Sequence, residues 1–257
     1  MSRTRVLLTG ASGSMGGEAF KELIRRKSNY EIVLILRPSA ENKKTFSQHI
    51  PNDCISNGKR SVIENKGLKI VWGDLTNYAD VLEAVHGVDY VLHPAAFIAP
   101  AADHNPELAE KINVGGTENI IKAIKAQDNG AERIRLVYIS SVAIYGDRLA
   151  PIYWVRTGDP LKPSVYDFYA TTKIRAERAI IESGLKYWVS IRQTYIAIPD
   201  AMSLMDPIMF HQPIDQHIEM ITAEDAGYGL VQCLEAPEDF WRRIYNMGGG
   251  PSCRFIF

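Results

Sequence analysis

Residues 9–16, "TGASGSMG", place three glycines between a short apolar run and an amphipathic segment. Their spacing is G-x-x-G-x-x-G. Gly10 permits a tight turn, Gly13 lets the backbone approach a pyrophosphate, and Gly16 lets a helix pack closely on a sheet. A plain glycine turn would have the same composition. The position between a predicted strand and a predicted helix favours a dinucleotide-binding turn.

Strand-like and helix-like segments alternate along the rest of the chain. Runs rich in β-branched and aromatic residues predict strands at 5–10, 31–37, 69–75, 88–96, 133–141 and 187–196. Helical periodicity predicts helices at 14–27, 77–86, 107–127, 166–183 and 222–237, the last with Thr222 as its N-cap. This alternation predicts an α/β fold, a Rossmann-type doubly wound parallel sheet. Residues 51–67 are predicted to form a polar loop.

No linker or repeat divides the chain, so residues 1–257 are predicted to form a single dinucleotide-binding domain. A small C-terminal substrate-binding lobe is expected from residues 147–165, 197–220 and 248–257. Its methionine-rich part, 200–220, suits an adaptable lid over a bulky apolar substrate, or it packs a small subdomain.

Composition excludes several classes of function. The net charge of −1 gives no overall attraction to nucleic acid or to an anionic membrane. No apolar run approaches the roughly 20 residues that span a bilayer, so a cytoplasmic protein is expected. His211 and His217 lack an acidic cluster, and no metal site is predicted. The scattered cysteines predict buried or idle thiols: Cys54, Cys233 and Cys253.

Basic residues follow the second predicted strand, where the ribose of a bound adenosine is expected. Arg37 lies at the strand end, with Lys43 and Lys44 shortly after it. An arginine can contact a 2′-phosphate with two N–H groups, so NADP(H) is favoured as the cofactor, with NAD(H) as the alternative. The side chain of Arg37 would equally extend into solvent from a strand end.

Two further positions bear on the cofactor and the chemistry. Asp74, followed by Leu75, is placed to accept from an adenine amine, or else to cap the next helix. Tyr169 and Lys173 lie one helical turn apart, and Ser141 ends the fifth predicted strand. Taken alone, the Tyr–Lys pair would be an ordinary solvated helix face.

Taken together and in order, these motifs resemble the short-chain dehydrogenase/reductase superfamily over nearly the whole chain. The resemblance is to the extended branch, the NAD(P)-dependent epimerase/dehydratase family, and especially to the dihydroflavonol and cinnamoyl-CoA reductases and the sugar-nucleotide epimerases. The motifs are TGASGSMG (9–16), GDL (73–75), HPAA (93–96), NVGGTENI (113–120), YISSVAIYG (138–146), YATTK (169–173) and ITAEDAG (221–227).

The resemblance implies roles for the site residues. Tyr169 would be the general acid or base, and Lys173 together with the positive nicotinamide ring of the oxidised cofactor would lower its pKa. Lys173 would also hold a ribose, and Ser141 would bind the substrate oxygen. Asn113 would lie near the active site or serve helix packing, while His93 is expected to be a core histidine. The implied cofactor-binding residues are Gly10, Ser12, Gly13, Ser14, Met15, Gly16, Arg37, Lys44, Asp74, Leu75, Ala95, Ala96, Tyr169 and Lys173.

The sequence also departs from the family pattern. Arg192 is followed by Gln193 where relatives commonly carry a proline. Either Arg192 or Arg156 could grip a diphosphate.

The function expected from the resemblance is an NADP(H)-dependent oxidoreductase that interconverts a small-molecule carbonyl and a secondary alcohol. A sugar-nucleotide epimerase with tightly bound NAD(P) is the alternative, and a non-enzymatic dinucleotide-binding regulator ranks third. Helices 107–127 and 166–183 permit a homodimer without requiring one.

Overall fold

The first strand, β1, lies near the middle of a mostly parallel sheet of eight strands. The structure is a computed structural model that describes residues 3–49, 62–65, 67–146, 154–198, 217–250 and 253–254. The strand order is β11–β7–β6–β5–β1–β2–β4–β3, and only β3 runs antiparallel to its neighbour. The strands are β1 (Thr4–Leu8), β2 (Tyr30–Leu36), β3 (Val62–Asn65), β4 (Leu68–Trp72), β5 (Tyr90–His93), β6 (Arg135–Ser141), β7 (Tyr187–Gln193) and β11 (Arg243–Met247).

Helices cover both faces of this sheet. They are α1 (Ser14–Arg25), α2 (Ala40–Phe46), α3 (Tyr78–Val85), α4 (Ala101–His104), α5 (Pro106–Ala109), α6 (Gly116–Lys125), α7 (Gly130–Arg133), α8 (Phe168–Ile181) and α9 (Ala223–Gln232). Alternate residues of β1 enter two separate cores, because successive side chains of a strand point to opposite faces. Val6 and Leu8 pack with α1 and α9, whereas Leu7 packs with α3, α6 and α8. The predicted doubly wound α/β sheet is confirmed.

Three predicted elements differ from the structure. The helix expected at 107–127 is divided into α5, a π-helical stretch at Glu110–Gly115, and α6. The strand expected at 187–196 stops at Gln193, and β8 (Tyr195–Ala197) pairs with β10 (Met220–Thr222) in a separate small sheet. Part of the expected loop at 51–67 forms β3, which pairs with the otherwise open edge of β4.

Side-chain oxygens cap several helices, and the sequence predicted one of these caps. Thr222 accepts from Asp225 N at 3.0 Å and caps α9, which confirms that prediction. Asp167 accepts from Ala170 N at 2.7 Å and caps α8. This second cap fixes where the helix that carries Tyr169 starts.

The predicted substrate lobe is described only in part. Its residues 147–153, 199–216, 251–252 and 255–257 lie outside the described residues, as do Cys54 and His211. β9 (His217–Ile218) and β12 (Cys253–Arg254) pair antiparallel and so join two of its three segments. The lobe as a unit stays a prediction.

The described residues contain neither a membrane-spanning helix nor a metal-ligand cluster. Among them no helix is both long and apolar enough to cross a bilayer. The same residues hold no cluster of three His, Cys, Asp or Glu side chains suited to a metal ion.

Candidate active site

The glycine turn lies where the strand order reverses, between β1 and β5. Gly10 has φ +63°, and a Cβ at this position would lie 2.8 Å from Ala95 Cα at the end of β5. A Cβ at Gly16 would collide with the carbonyl oxygen of Gly10. Ala95 and Ala96 are half-buried beside the turn. Because ligands of doubly wound sheets bind at this reversal, the turn borders the expected crevice.

The N-terminus of α1 opens onto the same place. Gly13 is its N-cap, and within the described residues no side chain caps the helix. Ser12 and Ser14 are exposed, whereas the Met15 side chain is buried in the core, so only the backbone of Met15 is available to a ligand. A first turn with uncapped N–H groups and no acidic residue suits an anion.

Arg37 and Lys44 are both exposed beyond the carboxyl end of β2. The carbonyl oxygen of Arg37 accepts from Ser39 N at 2.8 Å and from Asn42 Nδ2 at 2.9 Å. The guanidinium of Arg37 contacts no partner among the described residues. This exposure fits a phosphate contact as well as a solvated strand end.

Asp74 follows β4 and does not cap the next helix, so that alternative is wrong. Asn77 caps α3 by accepting from Asp80 N at 3.2 Å. Asp74 Oδ1 accepts instead from Thr76 N at 2.8 Å, and Asp74 N donates to the buried carboxylate of Asp80 at 3.0 Å. The half-buried Leu75 accepts at its carbonyl oxygen from Asn119 Nδ2 at 2.8 Å, which anchors this loop to α6.

His93, at the end of β5, is a core histidine, as the sequence indicated. Thr117 Oγ1 donates to Asn113 O at 2.6 Å, so it accepts from His93 Nε2 at 3.1 Å. The remaining ring nitrogen, Nδ1, then accepts from Thr9 Oγ1 at 2.8 Å. Burial lowers the pKa of His93 to about 3, which keeps the ring neutral.

Asn113 joins the loop after β5 to α8 from within the π-helical stretch. Its Oδ1 accepts from Phe97 N at 2.7 Å, and its Nδ2 donates to Phe97 O and to Thr172 Oγ1, both at 2.9 Å. Thr172 Oγ1 in turn donates to Tyr169 O at 2.8 Å. Asn113 is 3% exposed, so it serves packing and at the same time holds the helix that carries Tyr169. A π-turn at such a position is common near functional sites.

Ser141, Tyr169 and Lys173 meet at the end of β6. The Ser141 hydroxyl acts on the phenol of Tyr169 and lowers its pKa, and Ser141 Oγ accepts from Ala143 N at 3.1 Å. Tyr169 N donates to Asp103 Oδ1 at 3.1 Å, a contact between α4 and α8 that the sequence did not indicate. Tyr169 is half-buried, and Lys173 is 2% exposed.

The pKa of Tyr169 differs from the expectation. Burial raises it to about 12, and the hydrogen bond from Ser141 offsets this only in part. Burial lowers the pKa of Lys173 to about 7, against the opposing effect of Glu177. Lys173 Nζ donates to Ile139 O at 2.5 Å. Burial dominates at both groups, and the lowering of the Tyr169 pKa by Lys173 together with an oxidised nicotinamide ring stays a prediction.

Sequence reasoning missed the buried partners of Arg192. This residue is 3% exposed, and its guanidinium pairs with Glu177 at 2.7 Å. It is therefore not available to grip a diphosphate, a role that the sequence had left open for it. Gln193 Nε2 donates to Met247 O at 3.3 Å. Glu177 lies one turn after Lys173 on the buried face of α8. This spacing was the one feature of the sequence that could have indicated a buried carboxylate as a partner for Arg192.

Comparison with known proteins extends over much of the chain. The model of the NAD dependent epimerase/dehydratase family matches residues 6–196. The UDP-glucose 4-epimerase of Rickettsia felis is 30% identical over 141 residues, which are 54% of this chain and 37% of that protein. A 3-beta-hydroxysteroid dehydrogenase of Mycolicibacterium neoaurum is 28% identical over 185 residues, 69% of this chain and 42% of that protein. The chain thus matches less than half the length of either relative.

A solved structure shares the fold. The UDP-glucuronic acid 4-epimerase of Bacillus cereus, in complex with UDP-glucuronic acid and NAD, superposes with a TM-score of 0.75 at 18% identity. The match covers 98% of this chain and 80% of that one. The family match over residues 6–196 and the shared fold agree with the predicted resemblance: the chain belongs to the NAD-dependent epimerase/dehydratase family, enzymes of the extended short-chain dehydrogenase/reductase kind.

Proposed function

We propose that this chain is a sugar-nucleotide epimerase that uses a nicotinamide dinucleotide to oxidise a secondary alcohol and reduce the resulting ketone. The observation that carries the proposal is the meeting of Ser141, Tyr169 and the buried Lys173 at the carboxyl end of β6, where Lys173 Nζ donates to Ile139 O. The epimerases among the relatives and the structural neighbours support the nucleotide-sugar substrate.

The residues of the glycine turn fit a dinucleotide. A side chain at Gly10 or Gly16 would fill the turn, and the uncapped start of α1 faces the place where a pyrophosphate would lie. We assign the pyrophosphate to Gly10, Ser12, Gly13, Ser14, Met15 and Gly16. Asp74 and Leu75 would hold the adenine, Ala95 and Ala96 would border the cofactor, and Lys173 would hold a ribose. When bound, the nicotinamide ring supplies the group that accepts and returns a hydride.

Tyr169 would move the proton. With its pKa near 12, the phenol is protonated at neutral pH and is ready to donate to a ketone oxygen. Removing a proton from an alcohol at neutral pH needs about 7 kcal/mol of extra stabilisation of the phenolate. Ser141 would hold the substrate oxygen and stabilise the charge that develops there. The reduction half of the cycle is thus the one for which these residues are already set.

A second candidate is an NADP(H)-dependent oxidoreductase that interconverts a small-molecule carbonyl and a secondary alcohol. The observation that favours it is Arg37, which is exposed at the end of β2 where a carboxylate would favour NAD(H). The steroid dehydrogenase relative, aligned with 69% of this chain, agrees with it. A regulator without activity ranks below both, because Tyr169 and Lys173 are present. A homodimer stays a prediction.

Turnover with defined substrates tests the choice. Purified protein with NAD and UDP-glucose is expected to form UDP-galactose with no net change in reduced nicotinamide, and Tyr169→Phe is expected to abolish this while NADH still binds. Consumption of one NADPH per carbonyl reduced, without epimerisation, would replace the proposal by the second candidate. Full turnover in Tyr169→Phe would contradict both.

Cofactor choice is tested separately at Arg37. If the chain prefers NAD(H), Arg37→Ala leaves the Kd of NADH unchanged, and NADPH never binds more tightly than NADH. A loss of tenfold or more in NADPH affinity, about 1.4 kcal/mol, with NADH unaffected, would identify Arg37 as a 2′-phosphate contact.

A further inference from the structure

A buried ion pair lies one turn beyond Lys173. Glu177 on α8 accepts from Arg192 Nη2 at 2.7 Å and Nε at 3.2 Å, and from Ser190 Oγ at 2.6 Å. All three side chains are at most 3% exposed. A two-point contact between guanidinium and carboxylate fixes both the geometry and the charge. Since apolar side chains stabilise a core as well as a buried ion pair does, stability alone does not explain it.

The other end of Arg192 holds a segment of the predicted substrate lobe. Its Nη1 donates to the hydroxyl of Tyr145 at 2.7 Å and to Thr157 O at 3.1 Å. The Tyr145 hydroxyl donates to Asn246 Oδ1 at 2.8 Å, and Asn246 Nδ2 donates to Val155 O at 3.2 Å. Two backbone carbonyls of one segment, residues 154–157, are thereby tied to the ion pair.

Lys173 has a single anionic neighbour among the groups that face it from the described residues. The ring of Tyr138 on β6 lies 4.4 Å from Lys173 Nζ, and burial raises the pKa of that phenol. His93 on β5 is neutral, and Tyr169 on α8 is protonated at neutral pH. Glu177 is left as the group that favours the charged form of Lys173.

We propose that the Glu177–Arg192 pair is a positioning unit: Glu177, one helical turn from Lys173 on the buried face of α8, favours the charged form of Lys173, and Arg192 ties that carboxylate to the placement of residues 154–157. Arg192 holds the Glu177 carboxylate in one geometry, and the same guanidinium holds the lobe segment. A displacement of residues 154–157 would therefore move Arg192 and Glu177, and with them the negative charge nearest to Lys173. The inference rests on the proposed function in one respect: that the charge of Lys173 assists Tyr169 in proton transfer.

Direct titration of Lys173 tests the first half. In protein labelled with ¹³C at the lysine Cε, the Lys173 resonance is assigned by its loss in Lys173→Met. Glu177→Gln is expected to lower the midpoint of this titration by about one pH unit or more. Glu182→Gln is the matched control, since Glu182 lies on the same helix but is exposed and pairs with Arg178. An unchanged midpoint in Glu177→Gln would overturn the proposal.

If Glu177→Gln does not fold, the double variant with Arg192→Met removes both charges and leaves none unpaired. A fall in the Lys173 midpoint is expected here too, smaller than in Glu177→Gln because the opposing positive charge of Arg192 is also removed. An unchanged or raised midpoint would overturn the proposal.

Hydrogen exchange tests the second half. Tyr145→Phe keeps the ring and the ion pair but removes the hydroxyl that links Arg192 to Asn246, so the amides of Arg156 and Asp159 are expected to exchange about fivefold faster or more. Tyr166→Phe, on an exposed ring, is the control. Equal exchange in Tyr145→Phe and wild type would refute the tie to the segment. Neither readout needs dinucleotide or substrate, so the positioning unit can fail while epimerisation is found, and the reverse.

Discussion

Alanine at Gly10 and alanine at Gly13 are expected to separate the stability of the fold from dinucleotide binding. Gly10 has φ +63°, and an alanine there costs about 1–2 kcal/mol for the left-handed backbone. Its Cβ would also lie 2.8 Å from the backbone Cα of Ala95, a crowding that costs about 1–3 kcal/mol. We therefore expect Gly10→Ala to lower the free energy of unfolding by about 2–5 kcal/mol, with a fall in Tm of about 2–4 °C for each kcal/mol.

Gly13→Ala is the matched comparison. Gly13 has φ −88°, and the nearest atom to an added Cβ is the Gly10 carbonyl oxygen at 3.4 Å. The free energy of unfolding should change by less than about 1 kcal/mol, because the backbone already suits alanine. The added methyl group would stand where a pyrophosphate is expected to approach. The affinity for NADH should therefore fall at least tenfold, or about 1.4 kcal/mol.

Urea denaturation gives the stability of each variant, and energy transfer from protein tryptophan to bound NADH gives the dinucleotide affinity. The reasoning is refuted if Gly13→Ala binds NADH as tightly as the wild type, or if it loses as much stability as Gly10→Ala. The first result would remove the glycine turn from the binding site, and the second would remove the steric argument.

Two further predictions concern buried polar groups. Asn113→Ala leaves the backbone N–H and carbonyl oxygen of Phe97 without the Asn113 side chain and should lower the free energy of unfolding, measured in urea, by about 2–4 kcal/mol. Lys111→Ala, on the exposed side, should change it little, and equal urea midpoints for the two variants would contradict this. The folded-state pKa of Lys173, about 7, lies below its ordinary value of 10.5, so the unfolded chain binds more protons between these pH values. The free energy of unfolding should therefore rise from pH 7 to pH 9 by about 2 kcal/mol more in the wild type than in Lys173→Met, and parallel pH curves would count against it.

Local pattern was enough to predict most of the architecture. The glycine turn at 9–16, the alternation of strands and helices and the Thr222 cap depend on residues close together in the sequence. The π-helical stretch at Glu110–Gly115 was missed because its periodicity differs from that of an α-helix by a single extra residue. The edge strand β3 was missed because its polar neighbours are typical of a loop and its pairing with β4 is a tertiary contact.

The amino-acid pattern alone was thus sufficient for the doubly wound α/β fold and its glycine turn, because hydrophobic periodicity and glycine spacing act over one or two turns of chain. The charge states and ion pairs of the buried residues depended on the tertiary structure. Tyr169 and Lys173 are one turn apart in any helix, but it is burial in the folded chain that raises the pKa of Tyr169 and lowers that of Lys173. The sequence placed Arg192 in a strand but did not give its partner, and only the fold shows that it pairs with Glu177, since an unpaired guanidinium in the core is costly.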